Sequence, residues 1–340
     1  MRRHHRSVIG GRLGPRARRT LLVLVGLSAL AFSCSNDGNG TPLPDGRDRD
    51  ADPAPELVVV TVNAHQFTQD LARLRTLSRA LSEVPTERAP DVVFLQEIEG
   101  GSVEVLSGLL KDKFPDAAFE PAGPLDKSVK SKAIVNVAEN ELRDTAVWTD
   151  ACDERNRYLA LRLTNRSERE AYTVAGVHIP WDSEAECRRR NALLIKDTVG
   201  RWDDPAVVAG DFNQRAVSEQ RECDLNETSE PQPWWAELVS GEGSSSFADA
   251  VKVEAQRRGD PVGEQWTYEG IGPTELCDGT TMFRRNRIDY IFVRGMNVIG
   301  AGADDPGWAG RQPGTYRCDT EVDCRYSDHR FVWARLGLGG

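Results

Sequence analysis

The sequence predicts an α/β fold of two mixed sheets packed together, with helices outside, as one domain. Three observations point there. Short β-branched and aromatic runs alternate with helix-period stretches in the first half of the chain. Between about residues 132 and 178 four strands follow one another with no helix between them, so hairpins interrupt the crossovers. No repeat of 20–50 residues is visible, which excludes solenoids and propellers.

The folded part starts near Glu56. Leu57-Val58-Val59-Val60-Thr61-Val62 is a short β-branched run, as in a buried strand. A helical pattern follows, with Leu71, Leu74, Ser78 and Leu81 on one face and Pro85 as its stop. Asp91-Val92-Val93-Phe94-Leu95 is a second buried strand, and Val103, Leu106 and Leu110 mark a second helix. Strands are then expected at 132–138, 143–149, 157–163 and 171–178, with a turn at Thr164–Arg169. A helix rich in Arg and Leu over about 184–200 leads into the strand Ala206-Val207-Val208-Ala209-Gly210. A long loop-rich stretch precedes the strand Ile288-Asp289-Tyr290-Ile291-Phe292-Val293, and Phe331-Val332-Trp333-Ala334 is the last strand.

Ahead of this domain, residues 1–33 hold seven arginines, no acid and the apolar run from Leu21 to Phe32. That is a signal-peptide pattern, too short for the roughly 20 residues of a membrane span. Cys34 after small Ser33 looks like a bacterial lipobox, in which this cysteine is lipidated and becomes the mature N-terminus. Plain secretion is the alternative, and Arg18-Arg19 also suggests twin-arginine export. Residues 35–55 have almost nothing to bury and read as a disordered tether. The protein is therefore expected outside the cell, either anchored to the membrane by a lipid alone or released.

The formal net charge is −10. Without residues 1–33 the chain has 36 basic against 53 acidic residues, a net of −17. So acidic a body excludes gripping nucleic acid through a broad basic face. An anionic substrate needs a focused device, and a metal ion is one. Setting Cys34 aside leaves Cys152, Cys187, Cys223, Cys277, Cys318 and Cys324. There is no CxxC and no suitable His spacing for zinc, so disulfides are expected, with connectivity the sequence does not choose.

Polar residues gather where the strands end. Asn63 follows the first, Gln96-Glu97 the second, His178 ends the strand from 171, and Asp211-Phe212-Asn213 follows Gly210. Asp289 lies in the strand 288–293, and Ser327-Asp328-His329 precedes the last strand. Strand ends are where α/β proteins bind ligands. Asp211 and Asn213 point the same way if the strand continues that far. Oxygens from Asn63, Glu97, Asp211, Asn213 and Asp328 suit a hard divalent cation. Of the three histidines beyond residue 33, His178 and His329 fall inside these segments, whereas His65, two after Asn63, is expected to play an ordinary polar role, with a place near the metal as the alternative.

The series Thr61-Val62-Asn63, Leu95-Gln96-Glu97, Gly176-Val177-His178, Gly210-Asp211-Phe212-Asn213, Arg287-Ile288-Asp289-Tyr290 and Ser327-Asp328-His329 resembles the endonuclease/exonuclease/phosphatase superfamily, the deoxyribonuclease-I-like phosphoesterases. The resemblance covers about 56–340 and implies a four-layer α/β/β/α sandwich. It implies Mg²⁺ as cofactor, with Mn²⁺ or Ca²⁺ as alternatives, held by Asn63, Glu97 and Asp328. By the same resemblance Asp289 orients His329, which assists the attack as a base or by holding the phosphate. Asp211 and Asn213 position the water or a second metal, and His178 donates to the phosphoryl oxygen. Many members add a Glu or Tyr on a middle strand; Tyr158, Glu139 and Glu141 are candidates and none matches clearly. Arg157 and Asn191 are further candidate phosphate contacts. If the strand 171–178 runs toward the site, all six cysteines fall in loops of the catalytic face, as Cys152–Cys187, Cys223–Cys277 and Cys318–Cys324.

These readings imply an exported, monomeric phosphodiesterase, a nuclease for extracellular DNA or RNA. Arg284, Arg285 and Arg287 would supply local positive charge, and Trp266 and Tyr268 would stack on bases. The alternatives are a phosphodiesterase or phosphatase for phospholipid head groups or small phosphate esters, and a non-catalytic binding lipoprotein of the same fold.

Overall fold

Along the first strand, Leu57 and Val59 face one way and Val58, Val60 and Val62 the other, and all five are buried. A strand so placed has apolar partners on both faces, which is why its sequence does not alternate. The computed structural model describes residues 56–67, 70–86, 88–216, 231–241, 246–260, 265–275, 281–303 and 326–338. The leader, the tether, Cys34, Cys223, Cys277, Cys318 and Cys324 lie outside the described residues.

The first half runs β1 (Glu56–Phe67), α1 (Leu71–Ser82), β2 (Val92–Ile98), α2 (Gly100–Lys113), β3 (Phe119–Ala122), β4 (Ser131–Asn136), β5 (Asn140–Thr149), β6 (Arg157–Asn165) and β7 (Ala171–His178). The second runs α3 (Ala185–Gly200), β8 (Ala206–Asp211), α4 (Pro233–Val239), β9 (Ala248–Asp249), α5 (Ala250–Arg258), β10 (Tyr268–Glu275), β11 (Thr281–Asn286), β12 (Asp289–Arg294), β13 (Asn297–Gly302) and β14 (Val332–Gly337). Among the described residues these strands form two six-stranded sheets, ordered β13-β14-β1-β2-β4-β3 and β5-β6-β7-β8-β12-β9, and a hairpin β10-β11. Both large sheets are mixed: β1–β2 and β7–β8 are parallel, and the other pairs antiparallel.

Three apolar layers follow. Between the sheets, Leu57, Val59 and Phe94 meet Leu161, Val174, Val207 and Ile291. Outside the first sheet, Val58, Val60 and Val93 pack with Leu74, Leu77 and Leu81 of α1 and Leu106 and Leu110 of α2. Outside the second, Ala175, Val177 and Val208 pack with Ile195 and Val199 of α3 and Trp234 and Leu238 of α4. The expected α/β sandwich is therefore present.

The differences from the sequence expectation have local causes. Leu71 is exposed because it opens α1, whose cap Asp70 accepts from the N–H groups of Ala72 and Arg73 at 3.0 and 3.3 Å. β3, unexpected around Glu120-Pro121, is an edge strand, where proline is tolerated. The stretch expected to be loop-rich contains α4, α5 and the β10-β11 hairpin. Those helices have only 7 and 9 residues, too short for a clear helical period.

Candidate active site

Strand register brings the polar motifs to one end of the sandwich. Asn63 lies beside Gln96 across the parallel β1–β2 pair, and His178 beside Asp211 across β7–β8. Asp211 also faces Asp289 of antiparallel β12. His329 bridges Tyr268 of the hairpin. Ser327 ties its segment to β1 by donating to Asn63 O at 2.6 Å, and His329 N donates to Ser327 Oγ at 3.1 Å. Ser327 thus holds the two sequence ends of the site together.

The side chains form a buried network. His329 Nδ1 lies 2.8 Å from Asp289 Oδ2. Asn63 Nδ2 donates to Asp211 Oδ2 at 2.9 Å and to Glu97 Oε1 at 3.1 Å. His178 Nε2 sits 3.7 Å from both Glu97 Oε1 and Asp211 Oδ2, and His329 Nε2 is 4.0 Å from Asp211 and 3.9 Å from Asp328. Burial would lower the pKa of His329, but Asp289, Asp211 and Asp328 outweigh it and raise it to about 10. Burial lowers His178 to about 4, despite Glu97. Burial, and then Asp289, raise Asp211 to about 7. The two histidines of one site are therefore pushed in opposite directions, His329 toward the protonated form and His178 toward the neutral one.

The backbone is strained at the same end. His65, Glu97 and Asn213 have φ of 46°, 53° and 51°, and all three line the cleft. For Asn213 this corrects the expectation of shared strand direction. β8 stops at Asp211, whose Oδ1 accepts from Asn213 N at 2.7 Å in an Asx turn, and Asn213 Nδ2 donates to Ile179 O at 3.0 Å. His65 is a wall of the site, because its Nδ1 is 3.2 Å from Asp328 Oδ1. Its N–H donates to Asn63 Oδ1 at 2.9 Å. Burial would raise the Asp328 pKa, but the bond to His65 and the nearby His329 lower it.

Several candidates are committed elsewhere. Arg287 forms a two-point pair with Asp249 at 2.9 and 2.7 Å and covers the Tyr290 ring. Arg285 pairs with Glu269 at 3.2 Å over Trp266, which is itself buried beneath Arg330. The side chain of Arg284 lies outside the described residues. Tyr268 does line the cleft, its ring 5.0 Å from that of His329. Asn191 is buried and donates to Asp150, which also accepts from the Tyr158 hydroxyl. Arg157 pairs with Asp126 at 3.1 Å, and Glu141 with Arg143 at 2.7 Å. The carboxylates beside His178 are Glu97 and Asp211, rather than a middle-strand group.

Two features escape the sequence. Trp181 is 77% exposed at the cleft, three residues after His178. Its loop is held by buried Arg188, whose guanidinium donates to Pro180 O, Trp181 O, Ser183 O and Phe212 O at 2.7–3.2 Å. Cys187, the residue before Arg188, forms a disulfide with Cys152 of the β5–β6 loop, as paired in the sequence expectation, although Cys187 lies in the first turn of α3 and not in a loop.

The donor chemistry fits a divalent cation. Asp211, Asp289 and His329 place ligand atoms within 4.8 Å of one another. Asp289 Oδ1 is buried without a hydrogen-bond partner among the described residues. Asp289 Oδ2 is taken by His329, and among the oxygen-bearing residues that line the cleft are Asn63, Glu97 and Asp328, with Asp211 held by Asn63. Oxygen donors of this kind suit a hard ion. The cleft they line has a volume of about 1000 Å³.

A sequence model of the Endonuclease/Exonuclease/phosphatase family matches residues 60–329. No curated protein matches the chain. Among solved structures it is similar to an endonuclease/exonuclease/phosphatase family protein of Bacteroides thetaiotaomicron, at 14% identity over 84% of this chain and 98% of that one, with a TM-score of 0.55. It is also similar to D. rerio TDP2 complexed with single strand DNA product, at 15% identity over 83% and 99%, TM-score 0.53. A mannosyl-6-phosphatase of B. thetaiotaomicron aligns at 14% identity over 83% and 100%, TM-score 0.54. Those likenesses show the fold, and the 60–329 match, which spans every motif of the buried network, shows that the chain belongs to the Endonuclease/Exonuclease/phosphatase family.

Proposed function

We propose that the protein is an exported, Mg²⁺-dependent phosphodiesterase that cleaves nucleic acid outside the cell, anchored through Cys34. The observation that carries this reading is the buried Asp211–Asp289–His329 cluster, with His329 and His178 lining the cleft. Phosphodiester hydrolysis needs charge neutralisation, an oriented water and a proton donor, and these residues divide that work. Asn63, Glu97 and Asp328 would hold the cation, with Asp211 beside them. When bound, the ion neutralises phosphate charge as a Lewis acid. Asp211, raised to about 7, accepts a proton from the attacking water, which Asn213 helps to orient. His178 donates a hydrogen bond to the phosphoryl oxygen that gains charge. His329, kept cationic by Asp289, holds the phosphate while the bond from phosphorus to the leaving oxygen breaks. That oxygen departs as an alcohol by taking up, through solvent, the proton that Asp211 received.

Nucleic acid is favoured over a small ester by Trp181, an exposed ring on a clamped loop, which offers a stacking face for a base. The similar TDP2 structure holds a single strand DNA product, which agrees with a strand lying in such a cleft. The test is a panel of plasmid DNA, RNA, bis-p-nitrophenyl phosphate, sphingomyelin and inositol phosphates, each with Mg²⁺ and with chelator. Cleavage of DNA or RNA that chelator abolishes is expected. Chelator-resistant turnover would overturn the metal mechanism, and turnover of sphingomyelin or inositol phosphates alone would overturn the substrate.

A further inference from the structure

One wall of the cleft is built from a segment the catalytic cluster does not use. The loop between β3 and β4 carries Lys127 and Lys130 to it, and β4 adds Lys132. The loop is anchored at both sides. Val129 bridges Arg157, and Lys130 N donates to Arg157 O at 2.8 Å. Leu125 packs on Gly100 so closely that a Cβ there would lie 2.9 Å from Leu125 O. That contact seats the loop against the start of α2, whose cap Glu99 makes no side-chain cap bond, and Gly100 and Gly101 line the cleft beside the lysines.

None of the three lysines forms an ion pair among the described residues. The nearby Asp126 is occupied by Ser128 and Arg157. Lys132 is only 4% exposed and donates to Val129 O at 2.6 Å, which leaves two of its three N–H donors. Burial lowers its pKa to about 8, so it is still mostly cationic at neutral pH. Asp126 favours that charge and Lys130, to a lesser degree, opposes it, and an anion held by both lysines would relieve the repulsion between them. In a chain of net charge −10 such a grouping is not a consequence of composition.

We infer that Lys127, Lys130 and Lys132, with the first turn of α2, form a second anion subsite for the phosphate next to the scissile one. The substrate then carries consecutive phosphates on one chain, as a nucleic-acid strand does; this deepens the phosphodiesterase reading and rests on it. An ester with a single phosphate fills only the catalytic cluster.

The test uses the full chain with Lys127→Ser and Lys130→Ser together, Lys127 being exposed and Lys130 half-buried, and with Lys127→Arg and Lys130→Arg as rescue. Substrates are a single-stranded oligothymidylate and bis-p-nitrophenyl phosphate. The serine pair should lose at least tenfold more kcat/KM on the oligonucleotide than on the small ester, mostly through KM, and the arginine pair should restore it. The slope of log kcat/KM against log salt should become shallower by about 0.7, the value for one phosphate no longer neutralised on a single strand. Equal losses on both substrates would overturn the subsite. If the wild type hydrolyses neither, the phosphodiesterase reading fails by itself. Equilibrium binding of the oligonucleotide then decides the subsite: weaker binding by the serine pair supports it, and equal binding overturns it.

Discussion

His329 and Asp289, forty residues apart in sequence, share a 2.8 Å hydrogen bond between Nδ1 and Oδ2, and both side chains are buried. The charge of Asp289 keeps the imidazole protonated, so its removal should cost the cation even where geometry survives. Asp289→Asn is expected to lower kcat on bis-p-nitrophenyl phosphate by about 10²–10⁴-fold. If the two act as a unit, Asp289→Asn combined with His329→Gln should be no worse than His329→Gln alone. Multiplying losses in the double variant would show that the pair is not the functional unit.

Asp289 and His329 are legible in the sequence because each is a polar residue next to an apolar strand. The same contrast exposes Asn63, Glu97, His178 and Asp211. Sequence does not show which polar groups are spent internally, and that is where the reading fails. Arg287 looks available until Asp249, thirty-eight residues away, is seen to take it by two bonds. Trp266 and Trp181 are alike as letters, yet one is buried under two arginines and the other faces the cleft. Backbone strain is equally silent: nothing in Gln-Glu-Ile or Phe-Asn-Gln announces a left-handed Glu97 or Asn213. Strands fare better, since two-sided burial leaves apolar runs. Short helices such as α4 do not announce themselves.

Trp181 should separate binding from folding. At 77% exposed it contributes little to the core, so Trp181→Ala should barely move the melting temperature. Loss of a stacking face worth about 1–3 kcal/mol should raise KM for an oligonucleotide roughly 5- to 150-fold. The same variant should change KM for a small aliphatic phosphodiester far less. Kinetics on the two substrates check this, and parallel KM changes would remove Trp181 from base recognition.

The Cys152–Cys187 bridge closes a loop with a sequence separation of 35. In the chain-entropy account a loop of that size is worth about 3–4 kcal/mol through the unfolded state. Replacing both cysteines with alanine should therefore lower unfolding free energy by roughly 2–4 kcal/mol. Guanidinium denaturation measures it, and a change below about 0.5 kcal/mol would mean the unfolded chain gains nothing from the lost link.

Asp91 gives the fold a pH dependence of calculable sign. Its carboxylate accepts from Val58 N at 2.8 Å and from Arg88 and Asn140 at 3.0 Å. Burial nonetheless dominates and raises its pKa from 3.8 to about 6. The native state therefore binds this proton more tightly than the unfolded chain. Its contribution is fully present below about pH 4 and is lost as pH rises through 6. Wild type compared with Asp91→Asn should shift against the wild type by an amount on the order of 2–3 kcal/mol between pH 4 and 7. Denaturant titrations across that range test the direction, and a constant difference would mean the group titrates alike in both states.

Gly210 is where fold and site depend on one residue. It precedes Asp211 with φ of 148°, and a Cβ would overlap the Val177 carbonyl of the parallel neighbour β7. The atom in the way is backbone, so no side chain can rotate to make room. Val177 also precedes His178, so a shift there would displace both His178 and Asp211. Gly210→Ala should cost about 3 kcal/mol or more, combining disallowed φ with overpacking. What activity remains should fall more steeply than stability. Gly108 of α2 is the internal control, because nothing lies within 4 Å of its missing Cβ. Gly108→Ala should instead stabilise by about 0.5–1 kcal/mol through helix propensity. Chemical denaturation of the two variants side by side tests the contrast. Similar stabilities would mean that the chain at Gly210 can relax, and that the close approach of β7 and β8 is not what sets Asp211 in place.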